Sequence, residues 1–425
     1  MALATAPTAS LPLDRTEVER LSRRRGEPDW LLAWRLQQLA GRTPEQWPTG
    51  AEEEWRRFSL AGLPEGPLVV DEPPGPPSHF SSMPVAAAHN GVVFDRWLDA
   101  VRDHPDLVRK ALGDNGGLPS HAAFRALNGA AFAHGSTFVH VPAGVAVELP
   151  LHVRKHWAAG TGAIVFRTVV VAEPGSSVTV VEELTSDGGG KGRVAIPGLE
   201  VHAGRGAQVR YVGIQRFGQD VWDLGSQRYI SESDSTVRSF NVVVGSHKTK
   251  LSIDSDIRGN GATVKLYGLV AAGSDQRIDV NSLQKLDGKA STSDLLYLSA
   301  LYERAHATYY GVIRVEPTSS MSGSYQECRN MLLSDKAGAD PIPVLEILTN
   351  DVARCGHGAT AGRLDDVELF YVMSRGLDRA SAEQLLVRGF FQRVINEIPD
   401  PQVGARVLAA LAPRIGRLTE LDDAA

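Results

Sequence analysis

A chain of 425 residues, 43% of them hydrophobic, is long enough for a sizeable buried core and for two or three domains. Its 44 basic against 50 acidic residues leave a formal charge of −6, without a basic block of the kind that grips nucleic acid through phosphates. Two cysteines exclude a disulfide framework, and no apolar run approaches the roughly 20 residues that span a bilayer, so neither a stapled secreted scaffold nor membrane insertion is expected.

The segment Met1 to Ser10 has neither the basic n-region nor the apolar h-region of a signal peptide, and a reducing, cytoplasmic location is expected. Residues 1 to about 13 are rich in Ala, Thr and Pro and read as disordered. Arg15 to Leu39 carries Val18, Leu21, Trp30, Leu31, Trp34 and Leu39 among charges, which predicts two helical pieces broken near Gly26 and Pro28. Pro64 to Pro77 reads as a linker, because proline fixes φ and removes backbone donors, and a further helical stretch is expected around Gly91 to Leu112.

From about residue 118 to 360 the composition turns to Val, Ser, Thr and Gly in short apolar runs, and a repeat emerges. Gly144 leads to Val147-Glu148-Leu149, Gly175 to Val178-Thr179-Val180, Gly206 to Val209-Arg210-Tyr211 and Gly261 to Val264-Lys265-Leu266. Asp234 replaces the glycine before Val237-Arg238-Ser239, and Lys289 opens a degenerate copy. Each copy places a turn residue before an in-out-in strand, and a period of roughly 30 residues indicates stacked repeats, hence a β-solenoid rather than an antiparallel sandwich.

Helical spacing returns after Leu364 with Val367, Phe370, Tyr371 and Val372, then Leu385, Leu386, Phe390, Phe391, Val394 and Ile395. Asp365 and Asp366 suit a helix start, Gly376 a terminus, Ser381 an N-cap, and a second helix should end before Pro399. The expected organisation is a partly disordered helical region at 1–117, a β-solenoid at 118–360 and a helical region at 361–425 that caps the last rung. The fold class is mainly β, with small α-helical flanks.

Cys355 and His357 stand two residues apart just before these helices, and Cys328 lies 27 residues before Cys355. A strand would aim Cys355 and His357 to one face, and persistence of the repeat would bring Cys328 beside one of them, on rungs about 4.8 Å apart. Thiolates and imidazole together suit iron, zinc or an iron-sulfur cluster. The alternative, two buried thiols acting as small hydrophobes and a hydrogen-bonded histidine, stays open at this point.

Beyond spacing, the stretch from Tyr325 to Phe391 resembles the SufB/SufD family of iron-sulfur cluster assembly proteins. The resemblance is carried by Asn330-Met331-Leu332-Leu333-Ser334-Asp335-Lys336-Ala337, Leu345-Glu346-Ile347, Cys355-Gly356-His357-Gly358-Ala359-Thr360, Leu369-Phe370-Tyr371, Ser374-Arg375-Gly376 and Leu386-Val387-Arg388-Gly389-Phe390. Gly26-Glu27-Pro28-Asp29-Trp30-Leu31 is similar to the family's opening helix. The resemblance implies a right-handed parallel β-helix and a non-catalytic scaffold subunit of the SUF system. It also implies pairing with a SufB-like paralogue and docking of a SufC-like ABC ATPase on the C-terminal helices, around Phe370, Tyr371, Arg375, Phe390 and Phe391. A transient iron-sulfur cluster at the partner interface would involve His357 as ligand or transfer residue, with Cys328 and Cys355 as sulfur-handling or metal-binding thiols. SufB-type chains carry a cysteine at the place of Cys328 and a glutamate at that of Gly358, so the chain is SufD-like at the histidine and SufB-like at the first cysteine. An exposed terminal rung leaves a homodimer of the isolated chain physically open.

Other sites are weaker. Gly188-Gly189-Gly190-Lys191-Gly192 lacks the spacing of a phosphate-cradling loop, so no nucleotide is expected to bind this chain. His152 and His156 lose the meaning of their spacing in a strand, where a solvated or packed role is favoured, and Asp254 and Asp256 could bind calcium as in a carbohydrate-active β-helix enzyme, the reading from a different class, though a solvated face is the preferred expectation.

Overall fold

The computed structural model describes residues 13–40, 48, 50–63, 78–80, 90–113, 118–119, 121–158, 162–189 and 192–415. The expected disordered start, apart from Leu13, and the Pro64 to Pro77 linker lie outside these residues. The described residues form eighteen strands in two nine-stranded sheets, and from Thr137 onward successive strands alternate between the two. Two pairings are antiparallel, Ser78–Phe80 on Leu151–Trp157 and Val93–Arg96 on Thr137–Val141, and each stands at the starting end of a sheet. The remaining eight strands per sheet are all parallel, which makes a β-solenoid of about eight turns from Thr137 to Arg363 and rules out the antiparallel sandwich.

The sequence repeat is the physical register. Val178, Val209, Val237 and Val264 lie level on successive rungs, as do Val180, Tyr211, Ser239 and Leu266. The turn residues form a column of left-handed backbone: Gly144, Gly175, Gly206, Asp234, Gly261, Ala290 and Met321, with φ between 51° and 73°. Each donates its N–H to a carbonyl of the next rung, Pro174, Arg205, Ser233, Asn260, Lys289, Ser320 and Asp351 respectively, at 2.8–2.9 Å. The left-handed conformation disfavours side chains other than glycine, and this ladder offsets the cost at the three positions that carry one. The sixth copy turns at Ala290 rather than Lys289, which supplies the carbonyl instead. The first copy forms only an isolated bridge at Ala146, so Val147 is buried but Leu149, ahead of Pro150, is 63% exposed.

Inside the solenoid, aliphatic side chains such as Val180, Ile253, Leu266 and Leu286 form the main core. A polar file threads it. Glu182 accepts from Thr168 (2.5 Å) and Tyr211 (2.6 Å) and pairs with Lys155 (2.7 Å), while Gln215 donates to Asp223 (2.9 Å) and Gln227 to Asn241 (2.7 Å). Such groups survive in a core because nearly every donor and acceptor is matched.

The helical regions lie on the outer faces. Helices Arg15–Arg25 and Asp29–Ala40 are split at Gly26, whose φ of 66° closes the first, as expected. The stretch after Gly91 begins with the strand Val93–Arg96 before helices Trp97–Asp103 and Pro105–Gly113. Together with Ala122–Ala131 they bury Trp97, Phe124 and Phe132 against Val165, Val194 and Trp222 of one sheet. At the other end, Asp366–Met373, Arg379–Ile395 and Pro401–Ile415 follow, the last not anticipated from the sequence. Asp378, not Ser381, caps the second of these by accepting from the Ser381 N–H at 2.8 Å. They do not cap the terminal rung as expected. Val387, Phe391, Val394, Val407 and Leu411 pack instead on Val212, Phe240, Leu269 and Leu298, the apolar outer stripe of the second sheet. That stripe takes up the helices' apolar faces, and among the described residues the rung end is left open.

Burial pushes the Asp223 carboxyl up to about 7. Between about pH 4, where an unfolded Asp loses its proton, and about pH 7, the folded chain keeps a proton that the unfolded chain has released, so this group's contribution to stability falls as pH rises. Asp223→Asn mimics the protonated form, retains an acceptor for Gln215, and should raise the melting temperature at pH 8. That gain should grow between about pH 4 and 7 in calorimetric scans; a pH-independent change would count against a buried, titrating Asp223.

Candidate functional site

The last turn consists of strands Gly338–Ile347 and Val352–Arg363, each at the end of its sheet. One edge of each strand therefore has no partner strand among the described residues, a template for pairing with another chain. The inward faces show the same incompleteness: Ala339, Leu345, Val352 and Cys355 are only partly buried and Ile347 is exposed, as is Leu348 just past the strand end.

Val352–Arg363 lies parallel to Ser322–Leu332, and its register decides what meets what. The last two turns offset their strands by 31 residues: Gly323 stands level with Thr292, and Arg354 with Gly323. Cys355 therefore stacks on Ser324, His357 on Gln326 and Ala359 on Cys328. The expectation that Cys328 sits directly beside Cys355 or His357 is thus corrected. It assumed the shorter period of the preceding rungs, and longer connections in the last turns shift the register. All three side chains nevertheless share the inward face, because level residues on parallel strands project alike. His357 is one rung and two residues from Cys328, roughly 7 Å along the strand, and Cys355 four residues, roughly 13 Å. Among the described residues no group of three or more His, Cys, Asp or Glu side chains converges tightly enough to hold a metal ion.

The two thiols differ in kind. Cys328 is 2% exposed, level with Tyr297 of the previous rung, and accepts from Asn330 Nδ2 at 3.6 Å. Burial pushes its thiol up to about 12, so it is a shielded thiol rather than a nucleophile. Cys355 is half-buried at the rim, its thiol also pushed up by burial. His357 is exposed. The sequence reading missed the polar neighbours. Gln326, directly beneath His357, is 1% exposed, donates to the Gly311 carbonyl (3.1 Å) and leaves its Oε1 without a partner. Asn330 bridges to the Thr360 carbonyl at 3.0 Å. Their alternation with Cys328 on one strand, Gln326, Cys328, Asn330, is the signal that marks an inward polar file.

The helix Asp366–Met373 buries only Leu369, leaving Val367 (74%), Phe370 (73%) and Tyr371 (59%) exposed. Arg375 lies over the Tyr371 ring at 5.0 Å and donates to its hydroxyl at 2.9 Å, which stiffens this apolar surface. Phe390 is half-buried, and Phe391, wholly buried against the solenoid, anchors the helix rather than facing outward.

Of the other candidates, His156 contacts Thr185 (3.0 Å) and Asp187 (3.3 Å), and on a strand it stands roughly 13 Å from His152. Asp256 is taken by Arg228 (3.3 Å) and Arg258 (2.9 Å), and Asp254 is largely buried with its carboxyl pushed up to about 7, so the pair makes no calcium cage.

The family described as SUF system FeS cluster assembly, SufBD core domain matches residues 156–390, which covers the solenoid beyond its first strands, the terminal rung and most of the helix Arg379–Ile395. The chain belongs to the SufB/SufD family. It is 29% identical to the iron-sulfur cluster assembly protein SufD of Bacillus subtilis, over 80% of this chain and 77% of that one. It is 26% identical to SufB of the same organism over 90% and 89%, and 28% identical to a SufBD family protein of Mycobacterium leprae over 86% and 89%. Family membership makes the chain an iron-sulfur cluster assembly protein, and its two arms are about equally similar to it.

The contrast between the thiols is measurable. With a disulfide reagent under native conditions one thiol per chain, Cys355, should react, and slowly. Cys328 should react only after denaturation, and two equivalents titrating in the native protein would contradict its burial.

Proposed function

We propose that this chain is a SufD-like, non-catalytic subunit of the SUF machinery that pairs with a SufB-like paralogue through its terminal rung. The observation that carries this reading is the inward placement of Cys355 and His357 on a last turn whose outer strand edges have no partner strand among the described residues. Backbone pairing across those edges would extend both sheets and bring the partner's residues against His357, while removing Ile347 and Leu348 from water. The same edges admit a second copy of this chain where the paralogue is missing.

The cluster is then cargo, assembled in the seam between subunits. His357 supplies a neutral imidazole nitrogen to iron or to the transferring cluster, Cys355 a rim thiol that deprotonates on metal binding, and Gln326 a polar floor. Cys328, sealed beneath Tyr297, stands where SufB-type chains carry a cysteine. Its burial here speaks against a working thiol and for the SufD-like role, in which the histidine does the handling.

The exposed Val367, Phe370 and Tyr371, with Arg375 braced on Tyr371, would dock a SufC-like ABC ATPase, which hydrolyses ATP on behalf of the complex. An aromatic and arginine anchor on one solvent-facing helix is the composition that concentrates binding energy at protein interfaces.

Phe370→Ser should leave the melting temperature within about 2 °C, because the side chain is already in water, yet abolish co-purification with the co-expressed ATPase. Retention of the ATPase by this variant would remove the helix from that interface. His357→Ala should preserve folding and pairing with the paralogue while lowering iron and sulfide per complex several-fold in anaerobic reconstitution. Full cluster yield would dismiss His357 as ligand or transfer residue.

A further inference from the structure

On the outside of the sheet that carries the C-terminal helices, level residues build columns along the solenoid axis. One column reads Thr179, Arg210, Arg238, Lys265, Asp294 and Tyr325. Its neighbour on one side, Val181, Val212, Phe240 and Tyr267, is covered by the helices, and on the other side Gln208, Thr236 and Thr263 present an amide and hydroxyls. Three cations thus stand on consecutive rungs about 4.8 Å apart. Like charges directly opposed on neighbouring strands destabilise a sheet, and an acid normally relieves them.

No acid forms an ion pair with them here. Arg210, Arg238 and Lys265 have no carboxylate within ion-pair distance among the described residues: Asp294, level with Lys265 on the next rung, and most other nearby acids are engaged elsewhere, and Glu148 of the adjoining cleft does not reach them. Asp294 accepts from Arg354 (2.6 Å), Glu397 from Tyr267 (2.8 Å), Glu183 pairs with Arg406 (2.9 Å), and Asp400 caps the Gln402 and Val403 N–H groups. The Arg210 Nε is buried without an acceptor. Burial, together with Arg238, also pulls that guanidinium below its usual range. Arg210 lines a cleft of about 560 Å³ whose walls include Leu149, Pro150, Phe240 and Pro399, together with two acids, the exposed Glu148 and Asp400, the latter spent on its helix cap.

We propose that this basic ladder binds a condensed phosphate, an anion with two or more linked phosphoryl groups, either free as pyrophosphate or as its ester in a nucleoside diphosphate. Guanidinium forks hold phosphoryl oxygens in bidentate fashion, and an ammonium adds a movable point charge. Linked phosphoryl groups concentrate several charges within the reach of adjacent rungs. The carboxylates of an extended acidic peptide recur on one face only every 7 Å or so, out of step with the ladder. In an ester the apolar part enters the cleft against Phe240 and Pro399. Recognition by side chains needs no glycine-rich loop, so a nucleoside diphosphate would bind here despite the sequence expectation that this chain takes no nucleotide.

The test is calorimetric titration of the purified full-length chain, free of magnesium, with pyrophosphate, ADP, orthophosphate, sulfate and a poly-glutamate peptide. One-to-one binding of pyrophosphate, at least tenfold tighter than orthophosphate or sulfate, is expected, as is at least a tenfold loss in the Arg210→Gln/Lys265→Gln double variant. Arg205→Gln, whose side chain pairs with Asp234 at 3.7 Å on an exposed turn, should bind as the wild type does. ADP binding tighter than pyrophosphate assigns the ester, and equal or weaker binding the free anion. Without ligand the double variant should melt no lower than the wild type, since it relieves a like-charge stack. The proposal is overturned by absent saturable binding, by sulfate or poly-glutamate binding as tightly as pyrophosphate, by unchanged affinity in the double variant, or by its lower melting temperature.

Discussion

Everything in this molecule rests on in-register stacking of parallel rungs, clamped at the column of left-handed turn residues from Gly144 to Met321. Each of those residues spends its N–H on the rung that follows, so a turn cannot drift without breaking the bond below it. Register in turn decides which side chains meet. Because the side-chain period is two, a slip of one residue would exchange the lumen for the outer face and expose the Val178, Val209, Val237, Val264 column.

The same constraint explains the two ends. At the starting end the antiparallel strands Ser78–Phe80 and Val93–Arg96 cover the first rungs. At the finishing end nothing comparable stands among the described residues, because the C-terminal helices spend their apolar faces on the sheet flank. The outer stripe of Val212, Phe240, Leu269 and Leu298 and the uncovered rung are two consequences of one packing choice. They put the uncovered rung edge and the exposed Phe370 and Tyr371 on the same part of the molecule's sequence, adjoining the last turn.

Polar chemistry is distributed by the same rule. Inward positions carry matched groups such as Glu182 with Lys155 and Tyr211, and an ionisable group without a full complement, Asp223, shifts towards its neutral form instead. The outward column of Arg210, Arg238 and Lys265 departs from this economy, since its like charges stand on consecutive rungs without an ion-pair partner among the described residues. Stacked like charges are the kind of local inconsistency expected where a ligand completes the structure.

By itself the sequence determined the class of fold, because a glycine or aspartate before an in-out-in triplet, recurring at near-constant spacing, has one economical packing, the stacked coil. It also determined the breaks at Gly26 and before the C-terminal helices, which depend on local backbone preferences. It placed Cys355 and His357 on one face, since two residues on one strand need only the pleat. Only the tertiary structure decided which residue lies under which in the last turns, where 31-residue offsets set His357 over Gln326 and withdrew Cys328 from both. It alone separated the wholly buried Phe391 from the exposed Phe370, and laid the helices along the flank rather than over the end. Those outcomes turn on competition between distant apolar surfaces and on the lengths of connections between rungs, and neither leaves a local mark in the order of amino acids.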